Sequence, residues 1–115
     1  MKIKEILNLL DAELVYGEEY LEREIVSAFT SDMMSDVLAF VKDQAVLMTG
    51  LVNLQVIRTA EMMDMLCIVF VRAKRPTPEM IEAAKESGIV LLATKKRMYD
   101  ACGILYTNGL TGAQL

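Results

Sequence analysis

Histidine is absent from this 115-residue chain. That removes the commonest general base, the commonest metal ligand and any phosphohistidine relay. Cysteine is scarce. Cys67 lies inside an apolar run and Cys102 on a helix-spaced apolar face, where free cysteine acts as a small buried hydrophobe. Neither has a histidine neighbour or an exposed helix start to activate it. No apolar run approaches the roughly 18 residues that span a membrane. Residues 1–10 open an amphipathic pattern rather than a signal peptide's unbroken apolar core. These absences predict a cytoplasmic chain with no membrane partner. Catalytic and nucleotide motifs are missing too: there is no G-x-x-x-x-G-K-[ST], G-x-G-x-x-G, C-x-x-C or G-x-S-x-G. The sequence calls for no cofactor and no metal.

Positive charge is also short. The net charge of −4 argues against a nucleic-acid partner held by phosphate contacts. The deficit is uneven: residues 1–50 carry four Lys/Arg and ten Asp/Glu, whereas residues 51–115 carry eight and six.

What is present is core. A hydrophobic fraction of 54% with 24% charged residues describes an ordinary globular domain. Its length suffices to fold without disulfides or metals. Ile3, Ile6, Leu7 and Leu10 have helical spacing, followed by a short strand at 12–16 and a turn at Gly17. The run Glu18, Glu19, Glu22 and Glu24 around Arg23 reads as a solvated loop. Residues 25–29 form a strand ending in Thr30-Ser31-Asp32, residues suited to starting a helix, and Met34, Val37, Leu38 and Val41 make the next helical stripe. Residues 45–48 are a buried strand closed by Thr49-Gly50, and Asn53 is the N-cap of a helix to about Met63. The continuous apolar run 66–71 is a strand buried on both faces. Thr77-Pro78-Glu79 starts a helix that Gly88 ends. Residues 89–93 form the last strand, and Thr94 caps a helix striped by Met98, Ala101, Cys102 and Leu105.

Strands alternating with helices predict an α/β fold: a single domain, with a mainly parallel β-sheet covered by helices. It spans residues 1–107, with 108–115 as a flexible C-terminal tail.

Ligands of such sheets bind beyond the carboxyl ends of the strands. The candidate ligand-binding residues there are Asp32, Thr49, Gly50, Asn53, Arg72, Lys74, Thr94, Lys95 and Lys96. The segments 72–75 and 94–97 together hold six of the twelve basic residues. Placed at a helix N-terminus, Lys95, Lys96 and Arg97 oppose the macrodipole. A small anionic effector of nucleotide or phosphate type would reverse that cost; side chains extended into screened solvent would also relieve it. Asp32 and Asp36 offer a weaker alternative, a metal-dependent activity. The nine methionines are either core filler or a contact surface for a second copy or a partner protein.

The order of segments resembles the DRTGG domain family. The matching stretches are Ala12–Glu19, Arg23–Val26, Asp32–Ser35, Val46–Gly50, Ile68–Val71, Pro78–Lys85 and Gly88–Thr94. The resemblance implies a parallel α/β fold, also similar to the N-terminal domain of HPr kinase. It further implies a regulatory, often dimerising role without chemistry of its own. Such domains occur in regulated pyrophosphatases beside CBS domains, attached to phosphotransacetylases, and alone. The family's Asp-Arg pair is replaced: by Leu51-Val52 if it follows Gly50, or, in another register, only Arg58-Thr59 survives. The chain therefore reads as a non-catalytic regulatory module acting as a homodimer, or else as a protein–protein interaction module with no small-molecule ligand.

Overall fold

The computed structural model describes residues 1–41 and 44–112. Five strands form one sheet: β1 (Glu13–Tyr16), β2 (Ser27–Thr30), β3 (Ala45–Thr49), β4 (Cys67–Phe70) and β5 (Val90–Ala93). Five helices accompany them: α1 (Ile3–Leu9), α2 (Met34–Phe40), α3 (Leu54–Met62), α4 (Pro78–Ser87) and α5 (Met98–Thr107). The strand order is β1-β5-β4-β3-β2. Strands β2 to β5 run parallel, and β1 pairs antiparallel with β5. A single domain with a mainly parallel sheet is thus what the alternating pattern produces.

Alternation along the strands builds two cores. Leu47, Ile68, Phe70 and Leu91 face one side, under Val37 of α2, Val56 and Ile57 of α3, and Met80 and Ala84 of α4. Val46, Met48, Val69, Val90 and Leu92 face the other, under Ile3 and Ile6 of α1 and Ala101 and Leu105 of α5. Both faces of β3, β4 and β5 are buried, which is why these strands read as unbroken apolar runs. The three crossover helices α2, α3 and α4 share one face, so β2 to β5 advance across the sheet in one direction. The carboxyl ends of all four therefore emerge on one edge.

Local chemistry sets most boundaries. Asn53 Oδ1 accepts from Val56 N at the start of α3. Thr77 Oγ1 accepts from Met80 N, with Pro78 in the first turn of α4, and Gly88 ends that helix at φ 69°. The acidic loop contains a 3₁₀ turn at Glu18–Tyr20. Beyond it Arg23 stacks on the Tyr20 ring and Glu22 bridges Lys2 and Lys4.

Two expectations need correction. Asp32 does not cap α2; the N-cap is Met33, because Asp32 is drawn to the neighbouring strand end. Thr94 does not cap α5, whose N-cap is Arg97. Thr94 is instead buried, donating to Leu10 O at 2.8 Å. Residues 108–112 of the expected tail follow α5. Leu110 is buried in the second core, and Thr111 O accepts from Ala28 N on the open edge of β2, which satisfies part of an otherwise unpaired strand edge. Residues 113–115 of that expected tail lie outside the described residues.

The cysteines and methionines divide by environment. Cys67 is fully buried, and burial pushes its thiol up, which the Arg23 charge opposes without cancelling; Cys102 is half-buried. Met34, Met48, Met65 and Met80 fill the cores, whereas Met33 and Met62 are exposed.

Candidate functional site

The carboxyl edge is built from four strand ends and one antiparallel neighbour. β3 ends in a buried threonine and β5 is followed by one, and each closes its turn in the same way. Thr49 Oγ1 accepts from Leu51 N at 3.1 Å, and Thr94 Oγ1 accepts from Lys96 N at 3.2 Å. Such short hydroxyl-to-backbone loops satisfy donors that a strand end would otherwise bury unpaired.

At the β2–β3 end, Asp32 dominates. Its Oδ1 accepts from Gly50 N at 2.7 Å and from Thr49 Oγ1 at 3.0 Å. Its Oδ2 faces an Arg72 guanidinium nitrogen at 3.6 Å. The Gly50 N–H holds the Asp32 carboxyl below the usual carboxylate range, Thr49 and Arg72 add to this, and partial burial opposes it. Gly50 makes the arrangement possible. A Cβ there would stand 1.9 Å from the Arg72 guanidinium.

The β4–α4 loop that carries Arg72 is strained. Arg72 and Ala73 both have φ 60°, a left-handed conformation that costs a non-glycine residue of order 1–2 kcal/mol. The cost is sustained because Arg72 N donates to Lys96 O at 2.8 Å and Ala73 N to Thr94 O at 2.9 Å. The two basic segments are therefore laced together on one edge, as their sequence positions implied. Lys95 and Lys96 nevertheless stand in a loop ahead of α5, so the argument from a cationic first helical turn does not apply to them.

At the β5–β1 corner the edge opens into a cavity of about 350 Å³ lined by Leu10, Asp11, Glu13, Ala73, Arg75, Ala93, Thr94, Lys95 and Lys96. Arg75 pairs with Glu13. Among the described residues Lys95 and Lys96 enter no ion pair, and the Asp11 carboxylate shares the cavity wall with them. Glu13, Asp11 and Arg75 were not singled out from the sequence. Asp11 and Glu13 arrive because β1 runs antiparallel beside β5, with Glu13 opposite Ala93, and Arg75 comes from the β4–α4 loop. No local pattern signals this pairing, because β1 and β5 lie almost eighty residues apart in the chain.

The candidate residues thus fall into groups. Asp32, Thr49, Gly50 and Arg72 form one network; Thr94, Lys95 and Lys96 line the corner. Lys74 is exposed on the loop between them. Asn53 is committed to capping α3. Asp36 lies in the first turn of α2 and does not enter the Asp32 network. Leu51 and Val52, after Gly50, pack on the core, and in the other register Thr59 is buried while Arg58 is exposed.

The chain is a small α/β domain whose sheet edge presents polar strand ends, cations and a shallow cavity. The fold itself is DRTGG-like. The chain is similar to the crystal structure of the CBS and DRTGG domains of the regulatory region of Clostridium perfringens pyrophosphatase complexed with its activator, diadenosine tetraphosphate. The TM-score is 0.75 at 18% identity, covering 90% of this chain and 45% of that one. This chain therefore spans less than half the length of that neighbour. No family model matches the sequence, and no curated protein matches it.

Proposed function

We propose that this domain is a non-catalytic regulatory module that senses a small anionic effector of nucleotide or phosphate type at the carboxyl edge of its sheet. The observation that carries the reading is the corner cavity, where Lys95 and Lys96 stand unpaired beside the buried Thr94 turn. Two ammonium groups on a concave surface attract a phosphorylated ligand by charge, while the floor contributes apolar contact from Leu10, Ala73 and Ala93. The structural neighbour supports the class of ligand, since that regulatory region is complexed with a nucleotide activator. Cytoplasmic location and a homodimeric state belong to the same proposal.

The experiment is a thermal-shift screen against adenine and guanine nucleotides, dinucleoside polyphosphates, acetyl phosphate and CoA. A ligand at tenfold excess over its Kd stabilises the folded state by about 1.4 kcal/mol, a rise of several degrees for a domain of this size. Lys95→Ala with Lys96→Ala is expected to abolish that rise and leave the unliganded melting temperature within about 2–4 °C, because both side chains are surface groups. An unchanged rise in the double mutant refutes the site.

A second reading follows from exposed apolar side chains. Met33 is 60%, Phe40 50% and Met62 69% exposed, which suits a protein–protein module whose contacts are methionine-rich. It predicts a flat ligand screen and a stable complex or dimer that Phe40→Asp dissociates.

A further inference from the structure

The Asp32 network is more elaborate than a surface tie requires. Three donors converge on one carboxylate: Gly50 N–H, the Thr49 hydroxyl and, further off, the Arg72 guanidinium. Among the described residues that guanidinium makes no hydrogen bond, so its donors stay available beside a carboxylate it only faces. The position is nonetheless closely built. Gly50 leaves out a Cβ where Arg72 lies, and the two left-handed residues that aim Arg72 are held by Lys96 O and Thr94 O. An ion pair whose side chains are 46% and 44% exposed returns little against such strain. Asp32 itself is free to leave. It sits between β2 and α2, belongs to neither, and does not cap the helix, so turning it outward breaks no regular element.

We propose that Gly50 N–H, the Thr49 hydroxyl and Arg72 form an oxyanion nest, that Asp32 fills it as the chain's own stand-in ligand, and that a phosphate-class group enters by displacing Asp32. A phosphate oxygen would take the place of Oδ1 under Gly50 and Thr49. A second oxygen would take the Arg72 donors, whose planar fork matches phosphate. The nest lies across the β4–α4 loop from the corner cavity, and Ala73 belongs to both that loop and the cavity wall. The inference rests on the anion-sensing reading for its class of ligand, but its test does not depend on Lys95 or Lys96.

Inorganic phosphate is the probe, followed by calorimetry and by the backbone amide shift of Gly50 in the whole chain. Asp32→Ala is expected to bind phosphate at least about tenfold tighter than the unaltered chain, the gain from no longer displacing a carboxylate held by two charge-assisted hydrogen bonds. Adding Arg72→Ala should remove the gain, and adding Lys95→Ala with Lys96→Ala should leave it. If Asp32→Ala fails to fold, Asp32→Asn serves, because the amide oxygen still accepts from Gly50 and Thr49 while the competing charge is gone. Its gain is smaller and has the same sign. Equal affinity in the unaltered chain and in the folded Asp32 variant overturns the nest. So does a gain that survives Arg72→Ala but vanishes with the lysines. Conversely, a gain that depends on Arg72 supports the nest even where no nucleotide stabilises the chain and the corner-cavity reading has failed.

Discussion

Two glycines offer a quantitative comparison, because an added Cβ collides with a neighbour at both but for different reasons. At Gly50 the Cβ would stand 1.9 Å from the Arg72 guanidinium, yet that obstacle is the far end of a flexible side chain. Gly50 also lies outside the left-handed region. Gly50→Ala should therefore displace Arg72 from Asp32 and lose an exposed ion pair worth about 0–1 kcal/mol. It recovers about 0.4–1 kcal/mol through lower entropy of the unfolded chain. The expected net change is within about 1 kcal/mol. Gly17 is the opposite case. Its φ is +111°, and a Cβ would meet Val90 Cγ2 at 2.8 Å and Val90 Cα at 3.1 Å. The backbone conformation costs of order 1–2 kcal/mol, and overpacking against a paired strand adds about 1–3 kcal/mol. Gly17→Ala should thus lose about 2–5 kcal/mol of a total that is typically 5–15 kcal/mol. Urea unfolding followed by circular dichroism measures both. Equal losses for the two variants would refute the reasoning, as would a loss above about 2 kcal/mol at Gly50.

Two further outcomes test the packing and the charges. Leu110→Ala should cost about 2–5 kcal/mol in the same unfolding assay, as for a core leucine; a cost near zero would mean that residues 108–112 do not pack as described. Glu22 is lowered from 4.5 to about 2 by hydrogen bonds from Lys4 and then Lys2. Because its folded pKa is depressed, its stabilising contribution is present above pH 4.5 and is lost as pH falls from there through about 2. Glu22→Gln should flatten stability against pH across that window. Added salt should do the same in the unaltered chain, since both lysine partners are exposed. An unchanged acid limb in the variant would remove Glu22 from the account.

Much of the fold was legible because its signals are local. Thr77-Pro78 and Gly88 bound α4 through hydrogen bonds and backbone preferences acting within a few residues. The apolar runs at 45–48, 66–71 and 89–93 announced strands buried on both faces, and the alternation with helices implied a parallel sheet whose carboxyl ends share an edge. From that edge rule alone, Asp32, Thr49, Gly50, Arg72 and Thr94 could be assembled as neighbours.

Only the tertiary structure decided what those neighbours do. Asp32 and Thr94 look like helix caps because aspartate and threonine favour that position. Each found a better partner across the sheet: Asp32 the Gly50 N–H, and Thr94 the Leu10 carbonyl. The direction of β1, and with it Glu13 and the corner cavity, depends on a pairing with β5 almost eighty residues away, to which no local pattern is sensitive. Leu110 reads as tail because Gly109 and Gly112 surround it, but the open edge of β2 and the second core give it a place to pack. Periodicity and capping are short-range and were carried by the sequence itself. Hydrogen-bond competition between distant strand ends is long-range, and it determined the site.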